Sequence, residues 1–201
     1  MGGGDIGITF YWYAWIFTII VFFFIQNKKI RRDLLLFVGL LMCTYEIFPW
    51  DPSTQIYFHV SFLFIFGVYI WIRKKRAFFN HFWPFIFSVG YASIWMFLVI
   101  HPIWVNFPGA SLSIILFIWM LRVVMDDLGG LIAIWLLTNA GGTLISYLIF
   151  TLYQKEGLID TQVTNSFVMK GLIILLLFHG VDQLKRSIRK KKTRPKGAAL
   201  V

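Results

Sequence analysis

The chain has 201 residues, of which 59% are apolar and only 14% charged, yet its formal net charge is +10. That balance excludes a soluble globular domain of ordinary composition. Seven membrane spans of about 20 residues each would use roughly 140 positions and leave connections too short to fold by themselves.

Of the 19 Lys and Arg residues, all but Lys155 and Lys170 fall between alternate apolar segments or after the last one. They are Lys28, Lys29, Arg31 and Arg32, then Arg73, Lys74, Lys75 and Arg76, then Arg122, and finally Lys185, Arg186, Arg189, Lys190, Lys191, Lys192, Arg194 and Lys196. Cytoplasmic loops retain Lys and Arg, so the pattern predicts an all-α polytopic bundle of seven transmembrane helices, N-terminus outside and C-terminus cytoplasmic. The positive charge is dispersed as loop anchors, which points to a membrane surface and not to nucleic acid.

The first span is expected at 6–25. Gly2, Gly3, Gly4 and Asp5 precede it in place of the basic segment of a cleavable signal, so it should remain as an anchor. The second, 34–48, is closed by a Pro49-Trp50-Asp51-Pro52 turn, and the third, 56–72, ends at the basic run from Arg73. Asn80 and Pro84 suit the start of the fourth, 82–100; His101-Pro102 and Pro108-Gly109 bracket an outer loop before the fifth, 110–125. The sixth, 128–153, follows Asp126-Asp127, a polar connection runs from Gln154 to Asn165, and the seventh, 166–184, leads into a basic tail, 185–201. Trp12, Trp15, Trp50 and Trp104 fall near the outer interface and Trp71, Trp83 and Trp119 near the inner one, where indole rings gather; Trp95 and Trp135 sit deep.

In lipid, helices associate through small residues and matched polar groups. Thr138, Gly142 and Ser146 recur every four residues on the sixth span, with Asn139, Thr143 and Tyr147 in the adjacent row, so this helix is expected at the centre of the bundle. The row serves first as packing surface, with a substrate-lining face as the functional alternative. Gly39, Cys43 and Glu46 line one stripe of the second span, and Ser88 with Ala92 marks a contact on the fourth. The single cysteine, Cys43, excludes an internal disulfide.

Ionisable groups within spans are costly and mark candidate sites. Glu46, His59, His101 and Lys170 all fall toward the outer side and form a candidate polar pocket, in which Glu46 and Lys170 lie at similar depth and can offset each other's desolvation. On the inner side Arg122 and Asp126, and Asp182 and Arg186, stand four apart on helices, the spacing of local ion pairs. The carboxylates of Asp126-Asp127 lack the further oxygen ligands that a hard cation needs, so no metal is expected. His59, His101, His81 and His179 show no paired spacing for haem, and no cofactor is expected. No G-x-S-x-G, H-E-x-x-H, phosphate-binding loop or dinucleotide fingerprint is present, so the chain reads as a non-enzymatic protein.

Tyr11-Trp12-Tyr13-Ala14-Trp15, the polar connection from Gln26 to Arg32, and Leu34-Leu35-Leu36-Phe37 give the chain a likeness to a known group. In length, span layout and aromatic first helix it resembles the YphA-type membrane proteins of Gram-positive bacteria. The resemblance implies the bacterial cytoplasmic membrane and carries no catalytic residue onto this chain. The expectation is a multi-pass cell-membrane component that binds a small ligand or serves as assembly or sensing partner of another membrane protein. Its basic tail would contact anionic headgroups. The alternative is a secondary transporter or proton-coupled carrier using Glu46, Lys170, His59 and Asn139.

Overall fold

The computed structural model describes residues 3–46, 52–105, 109–153 and 161–192. These form seven α-helices: α1 (Gly3–Phe24), α2 (Lys28–Glu46), α3 (Pro52–Trp71), α4 (Trp83–Ile100), α5 (Gly109–Val124), α6 (Leu128–Leu152) and α7 (Thr161–Lys192). Short 3-10 turns, Phe78–His81 and Pro102–Val105, flank α4, and no strand occurs among the described residues. Four stretches, Thr54–Trp71, Phe78–Ile100, Leu128–Leu152 and Thr161–Arg189, are long and apolar enough to cross a bilayer, and Ile8–Phe24 and Ser113–Val124 are shorter apolar helices. The turn around Pro49, Trp50 and Asp51, Pro108, Lys155 with the connection from Gln154 to Asp160, and Arg194 and Lys196 lie outside the described residues.

Local chemistry sets several helix starts. Asn27 accepts hydrogen bonds through Oδ1 from the Lys29 N–H at 3.1 Å and the Ile30 N–H at 3.4 Å, satisfying two donors that an α-helix leaves open at its N-terminus. Asp127 does the same for α6, accepting from the Gly130 N–H at 2.9 Å. α4 carries Pro84 in its first turn, where the missing N–H costs nothing; the preceding Asn80 belongs to the separate 3-10 turn. α7 begins earlier and ends later than its apolar stretch, so the first tail residues, Lys185 to Lys192, continue the helix.

α6 is the central post, packed most extensively against α3 and α4 and also against α5 and α7; α1 lies against α7 and α2. Every residue from Leu131 to Ala140 is buried. Close approach comes from glycines that oppose large side chains. A Cβ at Gly67 of α3 would stand 2.9 Å from Leu137 Cγ, one at Gly141 or Gly142 of α6 would overlap Ser88 or Tyr91 of α4, and one at Gly171 of α7 would overlap the Trp135 indole. Trp135 completes the lock by donating its Nε1–H to the Val168 carbonyl at 3.1 Å. Ser88 and Ala92 are buried at this α4 contact.

The peripheral helices divide into two faces. On α1, Phe10, Ala14, Phe17 and Val21 form a fully buried stripe at helical spacing, while Trp12, Trp15 and Phe23 are exposed. On α2 the buried face is Asp33, Leu34, Phe37, Val38 and Leu41, with the Phe37 ring 5.5 Å from Phe62 and 5.2 Å from Phe66 of α3. Gly39 and Cys43 point outward, so large apolar rings and not the small stripe seat this helix. Rings and aliphatic side chains left exposed around the bundle, such as Phe64, Phe85, Leu116 and Leu148, suit contact with lipid.

Candidate functional site

His59 is buried on α3, 4% exposed, beside a cavity of ≈ 20 Å³ that it shares with Thr44, Gln55, Thr161, Gln162 and Asn165. That volume is room for about one water molecule. Asn165 neighbours the imidazole, but neither ring nitrogen meets a hydrogen-bonding partner of normal geometry among the described residues. Asn165 Oδ1 and the Ser166 hydroxyl are buried and unpartnered in the same sense.

The other groups expected in an outer pocket take separate positions. Lys170 of α7 places its ammonium 5.2 Å from the centre of the Tyr13 ring of α1, a cation–π contact at the α1–α7 seam. His101 is exposed at the end of α4, with its ring 4.9 Å from that of Phe97. Neither lines the His59 cavity. Glu46 ends α2, and its side chain lies outside the described ones. Asn165, Thr161 and Gln162, which complete the cavity, belong to a polar stretch whose sequence suggests a connection; α7 extends through it and carries those side chains inward.

On α6, Thr138, Asn139, Gly142, Thr143 and Ser146 are all buried, and Tyr147 is half-buried with its ring 5.4 Å from Tyr57 of α3. Asn139 donates through Nδ2 to the Trp135 carbonyl at 2.8 Å, leaving Oδ1 unpartnered among the described residues. The hydroxyls of Thr138, Thr143 and Ser146 are unpartnered likewise, although Tyr91 lies next to Thr143. Elsewhere helical hydroxyls bond back along their own helix: Thr18 to the Ala14 carbonyl at 2.8 Å, Ser93 to Val89 at 2.9 Å and Thr151 to Tyr147 at 2.9 Å. Such back-bonding is the usual local satisfaction for Ser and Thr in a helix. The buried hydroxyls of α6 therefore stand out as a polar seam within an otherwise apolar interior.

At the basic end, acids and bases pair between elements. Asp33 of α2 is met by Arg73, whose guanidinium also touches the Tyr69 hydroxyl and lies 4.2 Å from its ring centre. Arg76 donates to Asp127 in a two-pronged pair, 3.1 Å to Oδ1 and 3.2 Å to Oδ2, and Lys74 approaches at 3.5 Å. Burial alone would raise the Asp127 pKa, but hydrogen bonds from Arg76 and the Gly130 N–H, with the charges of Arg76 and Lys74, hold it below its usual range. Asp127 thus caps α6 and anchors the link after α3, and no group of three metal-ligating side chains forms among the described residues. Arg122 pairs with Asp182 of α7 and not with Asp126, which is exposed; the bridge ties α5 to α7. Asp33 was missed by sequence reasoning, and the signal that could have found it is an acid directly after the first basic cluster.

His81 and His179 serve local structure. His81 accepts through Nδ1 from Trp71 Nε1 at 3.0 Å, and His179 Nε2 lies 3.0 Å from the Gln183 amide. Lys185, Arg186 and Arg189 are exposed on the last turns of α7, which continues through Lys190, Lys191 and Lys192.

A helical bundle with an interlocked centre, an apolar outer surface and ion pairs gathered at one end has the build of an integral membrane protein. The pattern of the YphA-like integral membrane protein family matches residues 6–199, and the chain belongs to that family. This agrees with the resemblance seen in the aromatic first helix and the layout of the spans. No curated protein and no solved structure matches the sequence.

Proposed function

We propose that the protein is a non-enzymatic component of the cell membrane that crosses it seven times, N-terminus outside and basic C-terminal segment cytoplasmic, and works by holding a partner protein or a small polar ligand. The interlock of α6 carries this reading: Gly67, Gly141, Gly142 and Gly171 let neighbouring helices close on the post with no space for a methyl group. Such packing favours a fixed frame over the rocking halves of a carrier, because tightly interdigitated interiors shift between discrete arrangements and do not deform smoothly. The positive-inside distribution supports the orientation, and the exposed basic end of α7 supports contact with anionic headgroups.

Native mass spectrometry of the protein extracted gently from its own membrane tests the proposal. A stoichiometric partner or one retained small molecule is the expected result. Solute flux by the purified protein alone in liposomes would overturn it.

A secondary transporter or proton-coupled carrier using Glu46, Lys170, His59 and Asn139 is the second reading, favoured by the His59 ring nitrogens, the Asn139 carbonyl oxygen and the Thr143 and Ser146 hydroxyls, which meet no partner among the described residues. It requires that Glu46→Gln or His59→Gln abolish flux while thermal stability stays unchanged.

A further inference from the structure

A cavity far larger than the one beside His59 lies at the basic end, away from the α6 seam. It measures ≈ 370 Å³ and is bounded by the start of α2, the end of α3 with the residues after it, and the start of α6. That is the size of a small-molecule site. Its charged lining is Lys29, Asp33, Arg73, Lys74, Arg76 and Asp127: four cations against two carboxylates, an excess of two positive charges.

The two carboxylates are already engaged, Asp33 by Arg73 and Asp127 by Arg76 and Lys74. These pairs fix the positions of the cations and leave donors over, since a guanidinium carries five N–H groups and an ammonium three. Arg76 is the most telling member. Its side chain is only 5% exposed, it lies 4.3 Å from the Trp71 ring centre, and its Nε–H meets no acceptor among the described residues. A buried donor of this kind is normally matched. Lys29, exposed at the cavity edge, brings a further cation with none of the described salt bridges. Leu34, Ile70 and Ile132 supply an apolar part of the wall, and Asn27 adds a neutral polar group.

We infer that this cavity binds a phosphate group borne on a small or lipid-like organic residue. A tetrahedral anion uses donors converging from several directions, and Arg forks together with a mobile Lys supply them. The apolar wall accommodates the glycerol or hydrocarbon part. Two sources share this chemistry, the headgroup of an anionic phospholipid and a free phosphate ester. The site rests on its own lining and uses neither the α6 interlock nor the outer groups.

The test uses the full chain, purified in detergent and stripped of lipid, with binding followed by native mass spectrometry. Phosphatidylglycerol, phosphatidylcholine and glycerol phosphate are titrated separately into the wild type. They are then titrated into a Lys29→Gln/Lys74→Gln variant and into a control, Lys28→Gln/Lys75→Gln, that removes the same charge beside the cavity without touching its lining. One bound anion per chain is expected, with at least a tenfold loss in the cavity variant and less than twofold in the control. Binding of phosphatidylglycerol that glycerol phosphate cannot displace assigns the site to a headgroup; binding of glycerol phosphate by itself assigns it to a free ester. Equal losses in both variants, equal binding of phosphatidylcholine and phosphatidylglycerol with no binding of glycerol phosphate, or no bound anion would overturn the inference. Should the double variant fail to fold, Lys29→Glu alone, at the exposed start of α2, is expected to show the same loss.

Discussion

Along α6, Thr138, Thr143 and Ser146 are buried with hydroxyls that find no partner among the described residues, while Gly67 of α3 and Gly171 of α7 press against the post and its own Gly141 and Gly142 admit α4. At the basic end, Asp33 and Asp127 are met by guanidinium groups from other elements, and the polar groups surround open volume. Shape is satisfied first in the centre and charge first at the end. The physical reason is the cost of error in each place. A void or overlap in a close-packed interior disturbs many contacts at once, whereas an unpaired charge is what a partly buried rim cannot leave unanswered. A neutral hydroxyl left over in the centre costs less than either.

The contrast can be broken most severely at Gly171. Gly171→Leu must displace the Trp135 indole and is expected to cost about 3 kcal/mol, read as a fall in the thermal midpoint in detergent; an unchanged midpoint would show that α7 is not locked to α6. Next comes Arg76→Met, which strips the two-pronged partner from Asp127 and is expected to cost about 2 kcal/mol. In that case Arg76→Lys should recover only part of the loss, since an ammonium cannot reproduce the fork. The sign reverses at Asn139. If its carbonyl oxygen is simply an unmatched acceptor, Asn139→Leu raises stability by about 1 kcal/mol; a drop in stability would mean that the amide holds a bound group.

The smallest effect is in pH. Because the Asp127 pKa is held below its unfolded value, its contribution to stability is complete above the ordinary carboxylate range, about pH 4, and is lost as pH falls through the lowered value. The thermal midpoint of the wild type should therefore decline over that acid window, and Asp127→Asn should flatten the decline. Parallel curves for the two proteins would remove Asp127 from the account.

How much of this was legible beforehand depends on the range of the interaction. The central place of α6 could be read from Thr138, Gly142 and Ser146, because a small and polar helix face has few uses in lipid other than contact. The stripe of Gly39 and Cys43 reads the same way, yet it faces outward, since Phe37 found Phe62 and Phe66 on α3. Sequence spacing alone offered Arg122 a neighbour at Asp126; the fold offered Asp182, and the bridge formed between helices. His59 and Asn165 are brought to one cavity by α3 and α7, which no local pattern connects.

The sequence by itself determined the helices and the membrane: apolar runs of spanning length, a basic cluster after alternate runs, and caps at Asn27 and Asp127 are local properties, written within a few turns of chain. Only the tertiary structure decided which face of each helix is inside, which acid meets which base, and where the polar groups leave open space. Those outcomes depend on side chains far apart in sequence competing for the same volume, and that competition is settled only when the helices pack.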